Sequence, residues 1–450
     1  MNSERTFALL RDYESRNVTL LDPDGSWPIV WECAKGVHVW DAQGKKYLDL
    51  TAAFGVAAAG HANPRVVRAG QRQMAKLLHA MGDVHPHALK AQLARELSRI
   101  TFERWSRITH HASRVSGKTI FCNSGFEAVE AALKTALLAT GKRGVIAFEG
   151  AYHGLGYGAL NATHRDHFRG AFRSQLREFG HFVPFPVAAD GSRLQSKSGK
   201  KNEPTHVGCH EVVKRIRRIL SREKIGAMLV EPVQARGGIN VPPPEFLPLL
   251  RSLCDEHGAL LILDEIYTGF GRTGKWFACE HSRVMPDLVC LGKALTGGFP
   301  LSACVGRADV MDAAWPVSQG EAIHTSTFLG HPVGCAMALA QIAEVRRLKL
   351  WQRSARLGKL LLAELQSAVG HRPSVVSARG LGLMAGLELR RADGSPATAE
   401  SLRLIKAMLR RGYILLPEGE HANVISFTPP LTISEPQLRR TVATLEEVLS

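Results

Sequence analysis

Four short stretches hold residue types that could do chemistry. In "VCLGKALTGGFP", Lys293 follows an apolar run and precedes glycines that let a ligand come close. A lysine there either snorkels to water or is an amine with a burial-depressed pKa, able to form a Schiff base with a carbonyl. In "LLILDEIYTGFGRTG", Asp264 closes a second apolar run. A carboxylate ending a buried strand is unfavourable by several kcal/mol, to order of magnitude, unless a cation meets it. That cation is either an arginine in a structural pair or a protonated ring nitrogen. In "FCNSGFEAVEAALK", a Ser124-Gly125 turn opens a helical pattern, so backbone N–H groups and the positive dipole end offer an anion site, although most helices begin with such a cap. In "EGAYHG", Tyr152 and His153 sit between glycines, and the tyrosine can stack on a flat ring or simply pack.

Singly, each signal is ambiguous. In this order they describe a pyridoxal phosphate site: an anion cradle, a ring stack, a partner for a pyridine nitrogen and an amine for an aldehyde. The formal G-x-G-x-x-G of Gly269, Gly271 and Gly274 argues for a dinucleotide less well. That fingerprint needs its glycines directly after the first strand and its acid after the next, whereas here Asp264 precedes the glycines and "IYT" intervenes.

The elements that must position these residues are legible as alternation. Apolar runs "GVIAFEG", "IGAMLVEP", "ALLILDE", "DLVCLGK" and "SACVG" are separated by amphipathic patterns such as "EFLPLLRSLCDEHG". That pattern predicts an α/β domain on a mostly parallel sheet, with ligands beyond the carboxyl ends of the strands. Gly150, Glu231, Asp264 and Lys293 all fall there. The polar segment 188–206 reads as an exposed insertion, and from about Ala336 onward a helical stretch and strand-like pieces read as a second, smaller α/β domain.

Composition narrows the function classes. At 450 residues the chain is too long for one small core, and its 45% hydrophobic and 22% charged residues are those of an ordinary globular protein. Lys plus Arg exceed Asp plus Glu by 57 − 41 = 16, but the basic residues are spread out, so small acidic substrates account for the excess better than nucleic acid. No apolar stretch is long enough to cross a bilayer, and the N-terminal residues lack a signal-peptide core. Eight scattered cysteines without a C-x-x-C read as reduced thiols, and the histidines show no metal-ligand spacing. A cytoplasmic protein without metal is expected.

Taken together, "GHANP", "FCNSGFEAVEAALK", "AYHG", "EPVQARGG", "LDEIYTGFGRTG", "PDLVCLGKALTGGFPLSA", "HTSTFLGHPVGCA", "RGLGLM" and "TPPL" resemble the class-III (ω-type) aminotransferases of fold type I, which use pyridoxal 5'-phosphate. The resemblance covers most of the chain and is most specific over 260–335. It implies a large PLP-binding domain over 71–335 and a small domain built from 1–70 and 336–450. Lys293 then holds the cofactor as a Schiff base and Asp264 pairs with the ring nitrogen. Tyr152 and Ile266 flank the ring, Glu231 is an acid near the site, and Tyr267 stands where glutamine is frequent beside the phenolic oxygen. Ser124, Gly125 and Phe126 bind the phosphate, helped by Thr327 of a neighbouring subunit in a homodimer. The implied reaction moves an amino group from an amine or ω-amino donor to an oxo acid in two half-reactions; a lyase, epimerase or aminomutase outcome uses the same residues.

Two positions depart from the family pattern. An arginine that docks the substrate carboxylate is common before "F-x-P-P-L", where this chain has Ser426, and a glutamate that pairs with it is common after "EPVQ", where this chain has Arg236. Both members of one pair are altered. Arg236 either supplies a replacement anion contact or faces solvent or a structural acid while another arginine docks the substrate. Phe54, Arg236 and Ser426 are the candidate substrate contacts.

Overall fold

The computed structural model describes residues 2–22, 26–109, 115–188, 208–370 and 375–449. Apart from Ala188, the expected insertion lies outside them. The apolar runs form one seven-stranded sheet, in the order Gly117–Cys122, Ser302–Arg307, Leu288–Leu291, Leu260–Asp264, Ile225–Val230, Gly144–Phe148 and Gly180–Val183. The last five strands of this order are parallel, while Ser302–Arg307 runs antiparallel to both of its neighbours. Gly117–Cys122 therefore points the same way as the parallel set. Residues 123–124, 149–152, 231, 264 and 292–293 all emerge at one end.

Every residue of Ile225–Val230 is buried, as expected of a strand covered on both faces. Alternate side chains enter different cores. Leu261 and Leu263 join the larger apolar cluster with Phe246 and Leu250 of the helix Phe246–His257. Ile262 joins the second cluster with Ala128, Val129 and Ala132 of the helix Gly125–Thr140. Helices thus cover both faces, and ligand access is confined to the strand ends.

Two smaller sheets lie outside the large one, and in the first of them N-terminal and C-terminal segments meet. Trp31–Lys35, His38–Asp41 and Lys46–Asp49 form a meander, extended by the parallel strand Tyr413–Ile414. Val375–Gly380, Ala385–Leu389, Val424–Phe427 and Leu416–Glu418 form the other, fully antiparallel sheet. Among the described residues no helix is long and apolar enough to cross a membrane.

The glycine turn 269–274 fastens the large sheet to the C-terminal segment. Within it, Arg272 is fully buried and its Nη1 donates to the carbonyls of Leu383 (2.9 Å) and Pro429 (2.6 Å), while its own carbonyl accepts from Ser354 Oγ (2.7 Å) and the Leu383 N–H (3.1 Å). Gly382 faces this junction at φ +60°, and a Cβ there would lie 2.4 Å from the Thr273 carbonyl carbon. Gly382→Ala is therefore expected to destabilise the fold by about 2–4 kcal/mol through overpacking and left-handed backbone strain. Denaturant unfolding checks this, and an unchanged midpoint would refute the account of the junction.

Candidate active site

Asp264 ends the strand Leu260–Asp264 and is 6% exposed. Its Oδ1 accepts the Ile266 N–H at 3.1 Å, and its Oδ2 lies 2.8 Å from Nδ1 of His153. A carboxylate only accepts, so the proton of this contact sits on Nδ1. The partner demanded by the buried carboxylate is on this side a histidine rather than an arginine. The opposite ring nitrogen, His153 Nε2, is buried without a partner among the described residues.

Lys293 lies two residues beyond the strand Leu288–Leu291, in the left-handed region at φ +43°. The conformation is unfavourable for a side-chain-bearing residue by about 1–2 kcal/mol. Strain of this kind collects where a side chain must be aimed. Nζ stands 4.2 Å from the Tyr267 ring centroid. Burial lowers the amine's pKa below the ordinary lysine value; Asp264, then Glu231 and Glu418, oppose that shift, and Arg236 reinforces it.

The anion cradle is the start of the helix Gly125–Thr140, whose first N–H groups have no intrahelical acceptor. The Glu127 carboxylate ties down the turn by accepting from the N–H of Asn123 (2.6 Å) and of Ser124 (3.0 Å), and Ser302 Oγ donates to the Ser124 carbonyl at 2.5 Å. The Ser124 hydroxyl is buried; it faces the Glu127 N–H in a loose capping box and has no other hydrogen-bond partner among the described residues. A Cβ on Gly125 would come within 3.1 Å of Ile266 Cδ1, so the cradle and Ile266 are in contact. Tyr152 donates its N–H to Glu231 Oε1 (3.0 Å) and packs edge-on against Phe168. Glu231 Oε2 accepts the Ala235 N–H at 3.1 Å, and burial raises this acid's pKa. A loosely held hydroxyl at a helix start, a buried aspartate, a buried amine and a half-buried tyrosine fit a phosphorylated pyridine.

The remaining wall differs from the pattern expected. Arg236 lies over the Tyr152 ring, with its guanidinium carbon 5.6 Å from the centroid, and its Nη1 is 3.6 Å from Oε2 of Glu418. Arg165 donates to the Arg236 carbonyl, and its charge is felt at Glu418. Ser426 is buried and gives its hydroxyl to the Leu416 carbonyl (3.2 Å), across the hairpin. Tyr267 OH shares a hydrogen bond with Thr428 Oγ1 (3.1 Å), and burial pushes its pKa up to about 12. Phe54, half exposed, belongs to a left-handed run of Ala52, Ala53, Phe54 and Gly55, and a Cβ on Gly55 would sit 2.9 Å from Tyr267 Cε1. Thr327 is exposed, and its neighbour Ser326 reaches Asn123 Nδ2 of the same chain at 3.4 Å.

His153, Arg165, Glu418 and Thr428 were not singled out as site residues from the sequence. Only His153 carried a signal, its place beside Tyr152 at a strand end. Arg165 and Glu418 lie in a loop and a short hairpin with no motif of their own, whereas Thr428 opens the "TPPL" stretch, whose resemblance gave that residue no role.

Comparison with known proteins shows the family and the fold. The family profile described as aminotransferase class-III matches residues 22–449. The acetylornithine aminotransferase of Methanosarcina mazei is 34% identical over 446 residues, spanning 99% of this chain and 98% of its own. The putrescine aminotransferase of Pectobacterium atrosepticum is 35% identical over 427 residues, spanning 94% of this chain and 82% of its own. Among solved structures, a thermostable (S)-enantioselective omega-transaminase from Thermomicrobium roseum superposes with a TM-score of 0.86 at 28% identity, with 100% of both chains covered.

The electrostatics of Lys293 can be checked directly. In the cofactor-free protein its amine is expected to titrate below the ordinary lysine value, and Asp264→Asn should lower it further, because Asp264 is the largest influence holding the proton on. The pH dependence of acylation at Lys293 measures both values. An upward or absent shift in Asp264→Asn would contradict the arrangement.

Proposed function

The chain belongs to the class-III aminotransferase family and is a pyridoxal phosphate enzyme of fold type I, and from that premise we propose which of its residues carry the transfer and what they act on. When bound, the cofactor supplies an electrophilic carbon and a ring that accepts electrons. Lys293 Nζ is the amine that holds it. As a free amine, Nζ would serve as the base that takes the proton from the donor carbon bearing the amino group and as the acid that gives it back. Asp264, fixed by His153 and the Ile266 N–H, keeps a proton on the ring nitrogen. Tyr152 and Ile266 confine the ring, with Glu231 holding the Tyr152 backbone. Ser124 Oγ and the N–H groups of Gly125 and Phe126 bind the phosphate, the hydroxyl being buried and only loosely held by its capping box.

Donors of this reading are amines or ω-amino compounds, and acceptors are oxo acids. Acetylornithine and putrescine, named for two relatives, belong to these classes. Arg236, with Arg165 behind it, receives the acceptor's carboxylate in place of the arginine absent at Ser426, whose hydroxyl is spent within its hairpin. Phe54 lines the mouth. The residues 71–335 act as the large domain and 1–70 with 336–450 as the small one. The working unit is a homodimer in which Thr327 serves the neighbouring site. Supporting this, Leu78, Met81, Val84, Ile323 and Phe328 are large exposed apolar side chains, and the two segments are joined by a Thr325–Asp83 hydrogen bond. The protein works in the cytoplasm, in keeping with eight free cysteines.

The observation that carries this reading is the convergence of Lys293, Asp264 and the helix start at Ser124 at one sheet end. Mixing the holoenzyme with a donor and no acceptor tests it: the cofactor's visible absorbance should change once per site, without ammonia release. Ammonia release without an acceptor would favour a lyase instead. Arg236→Ala is expected to raise KM for oxo acids about ten- to hundredfold, the value of a charged hydrogen-bonded contact. Unchanged KM across several oxo acids would remove Arg236 from the dock.

A further inference from the structure

Glu418 has no part in the chemistry described so far. It ends the short strand Leu416–Glu418, is 4% exposed, and accepts no hydrogen bond among the described residues. Its one ion-pair partner there is Arg236 at 3.6 Å, beyond hydrogen-bond range, and that arginine's side chain is 35% exposed. A buried carboxylate met this loosely is under-satisfied, since only close, hydrogen-bonded contact offsets the loss of water.

The pair is not needed to hold the wall together. The Gly419 N–H donates to the Arg236 carbonyl at 3.1 Å, so the hairpin is tied to residue 236 through the main chain whatever the two side chains do. Meanwhile the charge of Glu418 acts on the Lys293 amine and on the hydroxyls of Tyr267 and Tyr152. By geometry the carboxylate belongs to the wall at Tyr152, because Arg236, 3.6 Å from it, lies over that ring. Burial raises its pKa to about 7, against the pull of Arg236, Arg165 and Lys293, so it lacks a full counter-charge.

We propose that Glu418 is the subsite for a second, distal ammonium group of the amino donor, which makes diamines the preferred donor class. The inference rests on the aminotransferase site read above. It also gives the Arg236–Glu418 pair a use in both half-reactions. The donor's distal cation takes Glu418 and releases Arg236, and the oxo acid that follows takes Arg236 in the same space. One pair of opposite charges thus serves two substrates of opposite polarity, because it is loose enough for either member to be claimed.

The test compares 1,4-diaminobutane with 1-aminobutane as donors to the holoenzyme, at one fixed oxo acid. The wild type should favour the diamine in kcat/KM, and Glu418→Gln should reduce that ratio about tenfold or more, with Glu418→Asp between the two. In the wild type the ratio should also rise as pH increases through about 7, where the Glu418 carboxyl ionises while the distal ammonium remains charged. Titration of Lys293 or Glu231 enters both donors' rates and cancels in the ratio, and guanidinium groups do not lose a proton in this range. The pH measurement needs no variant, so a misfolded Glu418→Gln would not block the test. Turnover of both donors with no diamine preference, or with a ratio unaffected by pH and by Glu418→Gln, overturns the proposal. Failure of every donor would instead reject the transfer site itself.

Discussion

An ionised carboxylate at the end of a strand buried on both faces must be met by donors, and much of the site can be understood as the answer to Asp264. Its two oxygens draw in the Ile266 N–H, which fixes the turn leaving the strand, and His153 Nδ1, which fixes the loop after the strand Gly144–Phe148. The first contact sets Ile266 against Gly125 at the phosphate cradle. The second holds Tyr152, which is tied in turn to Glu231 by its own N–H. One buried charge thereby coordinates three strand ends. Its field is also the largest influence keeping a proton on the Lys293 amine against burial.

A second constraint is strain held in place by hydrogen bonds. The run Ala52, Ala53, Phe54 and Gly55 is left-handed throughout, at about 1–2 kcal/mol for each residue bearing a Cβ. Offsetting it, the Asp49 carboxylate accepts from the Thr51 N–H (2.8 Å), Thr51 Oγ1 (2.6 Å) and the Ala53 N–H (3.2 Å), with His61 Nε2 at 2.7 Å. The turn so held presses Gly55 against Tyr267 and leaves Phe54 at the mouth. Tyr267 is thus clamped between this turn and Thr428, which explains how its ring, rather than its hydroxyl, comes to lie beneath Lys293.

What could be read from the sequence was whatever repeats locally. Apolar runs of strand length between amphipathic segments gave away the parallel sheet, and the residue closing each run fell at the ligand end by geometry alone. Ser124 was legible because a helix start advertises itself within four residues. The partner of Asp264 was not, since His153 is 111 positions away and is brought in only by strand order. Likewise the altered residues at Ser426 and Arg236 were visible, but nothing near either position announces that an acid arrives beside Arg236 from a hairpin closed at Gly419. Long-range register, which no local pattern encodes, decided these contacts.

The charges around Lys293 argue that its chemistry is set by balance rather than by one neighbour. Burial alone would favour a neutral amine, suited to attack a carbonyl but poor at keeping a proton for return to carbon. Asp264, Glu231 and Glu418 push the other way, and Arg236 pushes back. Of these, Asp264 and Glu231 are anchored by backbone N–H groups and cannot move without unsatisfied donors being left behind. Glu418 and Arg236 are the loose members, so any ligand that engages one of them changes the field at the amine. Any charged group that binds at that wall is therefore coupled to the proton affinity of Lys293 by Coulomb's law.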